Sequence, residues 1–562
     1  MRGSIRSGRT NVISTPPALR GLAVDAAEPV AAPVGAWFGP NALAPLCAAV
    51  GALLVWRLGV RGVDVPAQVY RLELFRTSGW VVWDVGWYGG HYVPSYSLLF
   101  PPLARALGIY GVAACSAAVA TWSFHRLALS RWGRSAQLGS ALFAAGTVVP
   151  VAIGQLPFLL GEALGLLALI AMTRRRRVLA VALALLASLA SPVAGAFLGL
   201  AVVALVLSRS DSRWFHGTVA LAAVAPAAVS GLFDAQSGRF PFYAGQLLAI
   251  LGLAVALILR VPRDERVLRR GIALYACAAV VVFAVPNPMG GNMGRLAATF
   301  APAITLIVAR AYRLRLVALL VVPALVWQWA PVAGAAVRGA RDASGQAAYF
   351  APVLQRLASD PHQGRLEIPF TRAHWEAAYV APHVPLARGW ERQTDLAVNE
   401  IFYRRGALTP ETYRAWLSTS GVRWVALPDV PLDYSAQAEA RLITSGLGYL
   451  RPVWHNAHWK LWEVRGSPGL VSGPVRLLSV GPDRFVVDAS GPGVGLVRLR
   501  FTPAWNVRSG PACVRPSSDG WTELVVSAAG RVDVGVSTLP SVDREPCPLS
   551  PGVSTAASRL GR

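Results

Sequence analysis

A chain of 562 residues that is 54% hydrophobic, with a mean hydropathy of +0.46, is more apolar than soluble globular proteins, in which about 45–50% is usual. Its net charge is +24, from 53 basic and 29 acidic residues. The arginines sit in short loops between apolar runs, where the positive-inside rule puts them, so the charge belongs to a membrane protein and nucleic acid is excluded as a partner.

In chain order, residues 1–36 are polar, Arg-bearing and Pro-containing, and read as a disordered cytoplasmic tail with no cleavable signal peptide. Residues 37–331 read as a transmembrane domain. Its apolar runs fall near 38–58, 106–124, 136–154, 156–172, 178–192, 193–208, 217–232, 243–260, 271–286, 296–310 and 315–331. With the N-terminus inside, the Arg174–Arg177 run and the arginines from Arg260 to Arg270 fall on the inner side. Eleven crossings then place the C-terminal part outside. The stretch 178–208, about 31 residues or roughly 46 Å as a helix, is too long for one ordinary span. The charge rule favours two spans, broken near Ser191-Pro192.

Two regions are not spans. The first is an outer loop at 59–105, rich in Trp, Tyr, Gly and Pro. The second is an extracytoplasmic part, predicted as α/β over 335–465, β-rich over 466–545 as a small sandwich, and a flexible tail at 546–562. Within it Thr409-Pro410 predicts a helix start, Val422–Leu427 a strand, and Ala436–Ser445 a helix capped by Ser435 and stopped by Gly446. Pro452–Val464 predicts a hairpin through Asn456-Ala457. Cys47, Cys115 and Cys277 lie in apolar runs and are expected to pack there. Cys513 and Cys547 are able to form a disulfide if their segment is outside.

The first outer loop carries the most chemistry. Asp64, Glu73 and Asp84 supply carboxylates, His91 an imidazole, and Trp83, Trp87 and Tyr88 a dense aromatic cluster. Such aromatics also suit an interfacial belt, but with carboxylates among them they suit a sugar, whose apolar face stacks on rings while its hydroxyls donate to acids. Glu162 lies inside an apolar run, where acids mark functional sites by default; the alternative is an ordinary pairing with an arginine. The stretch Asn287-Pro288-Met289-Gly290-Gly291-Asn292-Met293-Gly294-Arg295 reads either as a plain turn or as a Gly-rich clamp for a lipid phosphate closed by Arg295.

The layout Gly62-x-Asp64, Arg71, Trp83-Asp84, Trp87-x-Gly89-Gly90, Tyr96 and Pro101-Pro102, following the first of many spans, resembles the first-loop pattern of the GT-C superfamily of membrane glycosyltransferases. The resemblance covers the topology plus roughly forty residues. It implies an α-helical polytopic enzyme in the bacterial plasma membrane. Its donor would be a polyprenyl-phosphate-linked sugar, and its acceptor a cell-envelope glycan or lipid. It also implies a catalytic base in this loop, Asp64 first and Asp84 second. Glu73, Trp83, Trp87, Tyr88, His91, Glu162, Asn292 and Arg295 are then the expected substrate contacts. The chain lacks the paired acids of the family's stricter motifs, so the base stays open between Asp64 and Asp84. No cofactor is expected, and His455-x-x-His458, with no third ligand, is not read as a metal site. The alternative class is a transporter or lipid flippase, against which the absence of an internal repeat counts.

Overall fold

The computed structural model describes residues 42–208, 212–233, 238–309, 314–339, 342–359, 364–537 and 547. The predicted N-terminal tail, and all of the C-terminal tail except Cys547, lie outside them. The fold is mainly helical, with several apolar helices followed by a strand-rich C-terminal domain.

Each of the eleven apolar runs contains helix among its described residues. Among the described residues, five stretches are long and apolar enough to cross a membrane: Ile109–Ile153, Leu156–Thr173, Arg213–Gly231, Arg266–Ala284 and Val317–Val337. Leu43–Arg57, Arg177–Ala190, Pro192–Ser208 and Ala244–Arg260 are shorter apolar helices. The stretch 178–208 breaks where the sequence predicts. Ser191 leaves the helix at φ −156°, ψ 117°, because the following proline has no N–H to give and disfavours helical backbone before it. The Ser191 hydroxyl then accepts from the Ala194 N–H at 3.3 Å and starts the next helix. Small residues let the helices close up: a Cβ on Gly161 would come within 2.7 Å of Ala194 Cβ. Cys47, Cys115 and Cys277 are exposed on outward helix faces rather than packed inside as expected.

The segment 59–105 is more structured than its composition indicates. It forms a helix, Val65–Ser78, then a ribbon of two strands, Trp83–Asp84 (β1) and Val93–Pro94 (β2), pairing Trp83 with Pro94 and Asp84 with Val93, then the helix Phe100–Leu107. Its entry is fixed by close backbone contact with the corner at Ile153–Gln155. Asp64 N–H donates to Ile153 O at 3.1 Å. Gly154 sits at φ 91°, and a Cβ there would lie 2.6 Å from the Asp64 carbonyl carbon. Gly154→Ala is therefore expected to strain a left-handed position and push the Asp64 turn away. The yield of folded protein from detergent should fall, whereas Gly217→Ala, with open space around its Cβ, should leave it unchanged.

In the C-terminal domain one sheet has strand order β3-β4-β6-β5. These strands are Arg365–Glu367, Val422–Pro428, Trp459–Val464 and Leu450–His455 in that order; β3 runs parallel to β4 and the other pairs are antiparallel. The predicted hairpin turns at Asn456, whose side chain accepts from His458 and Trp459 N–H groups at 2.9 and 2.7 Å. Thr409 caps Pro410–Thr419 as expected. The next helix starts one residue late, at Gln437. Ser435 does not cap it, because its hydroxyl donates instead to Asp433 at 2.7 Å. Beyond residue 470 two four-stranded antiparallel sheets face each other over a core that includes Phe485, Val487, Val497, Trp505, Leu524 and Val534. Cys513 and Cys547 form a disulfide, with Cα atoms 5.7 Å apart.

Candidate functional site

A polar cavity of about 490 Å³ lies between the helical part and the C-terminal domain. The helical wall carries Asp64, Arg71, Gln155, Phe158, Asn292 and Arg295; the C-terminal wall carries His374, Trp390, Glu391, Arg392, Asp433 and Tyr434. At Phe158 it adjoins a second, apolar cavity of about 300 Å³ between helices, into which Glu162 projects.

Asp64 occupies the N-cap position of Val65–Ser78, where Pro66 suits the first turn, yet its side chain makes no capping bond. That leaves the carboxylate to the cavity. Arg295 approaches it at 3.9 Å while lying over the Phe158 ring at 5.5 Å. Burial pushes the Asp64 carboxyl above the usual range, and Arg295, Arg71 and a hydrogen bond with Gln155 pull against that rise. Arg71 is itself held from three sides, by Glu391 at 3.6 Å and by the Trp87 and Tyr96 rings at 5.6 and 5.4 Å.

The loop 287–295 is shaped by its own asparagine. Asn287 Oδ1 accepts from Met289 and Gly290 N–H at 2.9 and 3.0 Å, and Gly291 N–H donates to Pro241 O at 3.0 Å. The turn chemistry and the cavity position coexist: this local folding delivers Asn292 and Arg295 to the helical wall.

The C-terminal wall is a charged and aromatic surface. Arg392 donates to both oxygens of Asp433, at 3.1 and 2.9 Å, and stacks on Tyr434 at 4.8 Å. Behind it Arg388, fully buried between the Phe370 and Phe402 rings, contacts Asp395 at 2.7 Å and Glu439 at 3.3 Å. The segment Arg388-Gly389-Trp390-Glu391-Arg392 has the same mixture of charge, glycine and tryptophan that marks the first loop. That mixture was the available signal for a wall the sequence reading did not assign.

Of the ten predicted site residues, the structure brings Asp64, Asn292 and Arg295 to one cavity and puts Glu162 in the adjoining slot, its two carboxyl oxygens buried without a hydrogen-bond partner. The other six do not line the cavity. Asp84 accepts from Tyr70 Oη at 2.6 Å and from Gly86 N–H at 2.8 Å; burial raises it to about 6 against those bonds. It organises the loop. Trp87 and Tyr88 pack with Tyr70, Val93 and Ala377, so Trp87 reaches the site only as the ring behind Arg71. Trp83 meets Tyr92 edge-on at 6.0 Å, against the sandwich core. His91 faces Trp521 at 6.3 Å and Arg500 at 3.4 Å. Glu73 pairs with Arg76 at 3.6 Å in a half-exposed contact. The aromatic cluster thus mostly docks the C-terminal domain.

No protein-family model and no curated protein matches the chain. Among solved structures, ArnT from Cupriavidus metallidurans in the apo state resembles it with a TM-score of 0.41 and 13% identity, over 75% of this chain and 98% of that one. The same protein bound to undecaprenyl phosphate gives a TM-score of 0.39 and 14% identity, over 76% and 99%. Likeness at this level is too loose to carry a residue or an activity from one chain to the other.

Proposed function

We propose that this chain is a GT-C-type membrane glycosyltransferase. It moves a sugar from a polyprenyl-phosphate donor to a glycan or lipid acceptor at the outer face of a bacterial plasma membrane. The observation that carries this reading is the junction at Phe158, where a polar cavity holding an acid opposite an arginine meets an apolar slot among the helices. A lipid phosphate needs both environments side by side. Its chain occupies the slot, and its phosphate oxygens accept from Arg295 and Asn292, with Arg71 adding positive charge.

In the reaction Asp64 takes the proton of the acceptor hydroxyl. The acceptor oxygen bonds to the anomeric carbon. The bond from that carbon to the phosphate oxygen breaks, and its electron pair leaves with the phosphate. The arginines stabilise the charge that develops there. A transporter or flippase is favoured by one feature only, the unpartnered Glu162 in the slot.

The direct test is binding of undecaprenyl phosphate to the purified full-length protein. Arg295→Leu removes a charged donor worth about 1.5–3 kcal/mol, so affinity should fall by roughly 10- to 150-fold. Equal binding by the variant, or none by the parent, overturns the assignment.

A further inference from the structure

On the reading above, on which this step rests, the donor phosphate belongs to Arg295 and Asn292 on the helical wall. We propose that the C-terminal wall holds a second anion subsite at Arg372. Its ligand is a phosphate or carboxylate group carried by the acceptor, on its glycan or lipid head.

The charges around the cavity do not balance. Arg71, Arg295, Arg372 and Arg392 line it, against Asp64, Glu391, Asp395 and Asp433. Asp64 faces Arg295 at 3.9 Å, Glu391 faces Arg71 at 3.6 Å, and Asp433 pairs with Arg392 at 2.9 Å. Asp395 is taken from behind, at 2.7 Å, by Arg388, which is not part of the cavity lining. The acids are therefore used up with one lining arginine left over, and that one is Arg372.

The acids of its own wall are already engaged by other donors. Asp433 Oδ1 accepts from Arg392 at 3.1 Å and from the Ser435 N–H and hydroxyl at 3.0 and 2.7 Å, and its Oδ2 accepts from Arg392. Asp395 accepts from Arg388 on both oxygens, and from Asn399 and Tyr403. Glu391 accepts from Gln393 and Thr394 besides facing Arg71. Arg372 is exposed, and no other described residue forms an ion pair or hydrogen bond with its guanidinium.

This side chain stands on pinned backbone. Arg372 N–H donates to Pro431 O at 2.9 Å, and Thr371 pairs across to Leu432. His374 N–H closes the turn onto Thr371 O at 3.1 Å. The wall thus presents an uncommitted fork of N–H donors from a fixed attachment point, and that fork matches the oxygens of a phosphate or carboxylate. A neutral acceptor would leave this charge without a counter-ion, in a cavity where each of the other lining arginines has one. Water alone is the competing partner, and binding of an anion separates the two.

The test uses the full-length protein in phosphatidylcholine nanodiscs, with undecaprenyl phosphate and inorganic phosphate as probes. Inorganic phosphate is titrated in the presence of excess undecaprenyl phosphate, so that the Arg295 site is filled, and its binding is read from broadening of its phosphorus NMR resonance. Arg372→Gln removes the charge from an exposed side chain and keeps the backbone bonds. Phosphate should bind the parent, and Arg372→Gln should weaken it by about tenfold, the size of one charged hydrogen bond, with undecaprenyl phosphate affinity unchanged. The proposal is overturned if phosphate does not bind the parent, or if it binds the variant equally well. It is also overturned if Arg372→Gln weakens undecaprenyl phosphate as Arg295→Leu does, because Arg372 then serves the donor. Phosphate binding that depends on Arg372, in a parent that takes no undecaprenyl phosphate, would keep the anion subsite and sink the donor reading instead.

Discussion

Asp64→Asn is expected to reduce sugar transfer by roughly 10²- to 10⁴-fold, the usual contribution of a positioned base, with membrane insertion and undecaprenyl phosphate binding intact. The substitution is close to isosteric, and the Asp64 side chain makes no capping bond that the fold would lose. What it removes is the proton acceptor opposite Arg295. The pH dependence has a defined sign. A base must be ionised, and burial holds the Asp64 carboxyl above the usual carboxylate range despite Arg295 and Arg71. Transfer by the parent should therefore fall on acidification, starting at a higher pH than an ordinary aspartate would give. Asp84→Asn is the contrast. Asp84 is outside the cavity, so transfer should persist and the effect should fall on stability. Its folded value of about 6 exceeds the ordinary 3.8. The folded state therefore holds that proton more tightly than the unfolded chain, and the resulting stability, full below 3.8, is lost as pH rises to about 6. Asp84→Asn should abolish this dependence. Loss of transfer in Asp84→Asn with full activity in Asp64→Asn would reverse the two assignments.

The helical part was legible because its signals are local. Apolar runs, arginines between them and a proline after Ser191 each act within one segment, and the structure has a helix in every run and a break at Ser191. The hairpin at Asn456 and the cap at Thr409 were readable for the same reason. The site was readable only in part. Asp64 and Arg295 were visible as an acid after the first run and an arginine beginning a later one, but their meeting depends on Gly62 and Gly154 bringing two corners together. Trp83, Trp87, Tyr88 and His91 misled because aromatic residues serve sugar stacking and domain docking equally well, and nothing local separates the two uses. The C-terminal wall was missed for a third reason. His374, Arg392 and Asp433 come from separate segments that the sheet β3-β4-β6-β5 and its helices bring together, and no sequence spacing reports that.

Arg388 is where the second large effect is expected. It is the cation that three buried acids share: Asp395 at 2.7 Å, Glu439 at 3.3 Å and Glu367 at 3.9 Å. Tyr413 donates to Glu439 at 2.9 Å, and Asn399 and Tyr403 donate to Asp395. Burial, then the neighbouring Glu439, pushes the Glu367 carboxyl well above its usual range despite Arg388. Burial also opposes ionisation of Asp395, but Arg388 outweighs it and keeps that carboxyl below its usual range. Arg388→Met preserves much of the volume and the contact with the Phe370 and Phe402 rings, yet removes the charge that compensates Asp395. Breaking such a buried group from one side costs about 3–5 kcal/mol. The substitution should lower the thermal unfolding midpoint of the detergent-solubilised chain and open 388–395 to protease. Because Gly389 to Asp395 form part of the cavity wall, transfer should fall with it. The double substitution Arg388→Met, Asp395→Asn removes the stranded charge and should recover most of the stability. If the single variant were as stable as the parent, the network would not be what holds that wall in place.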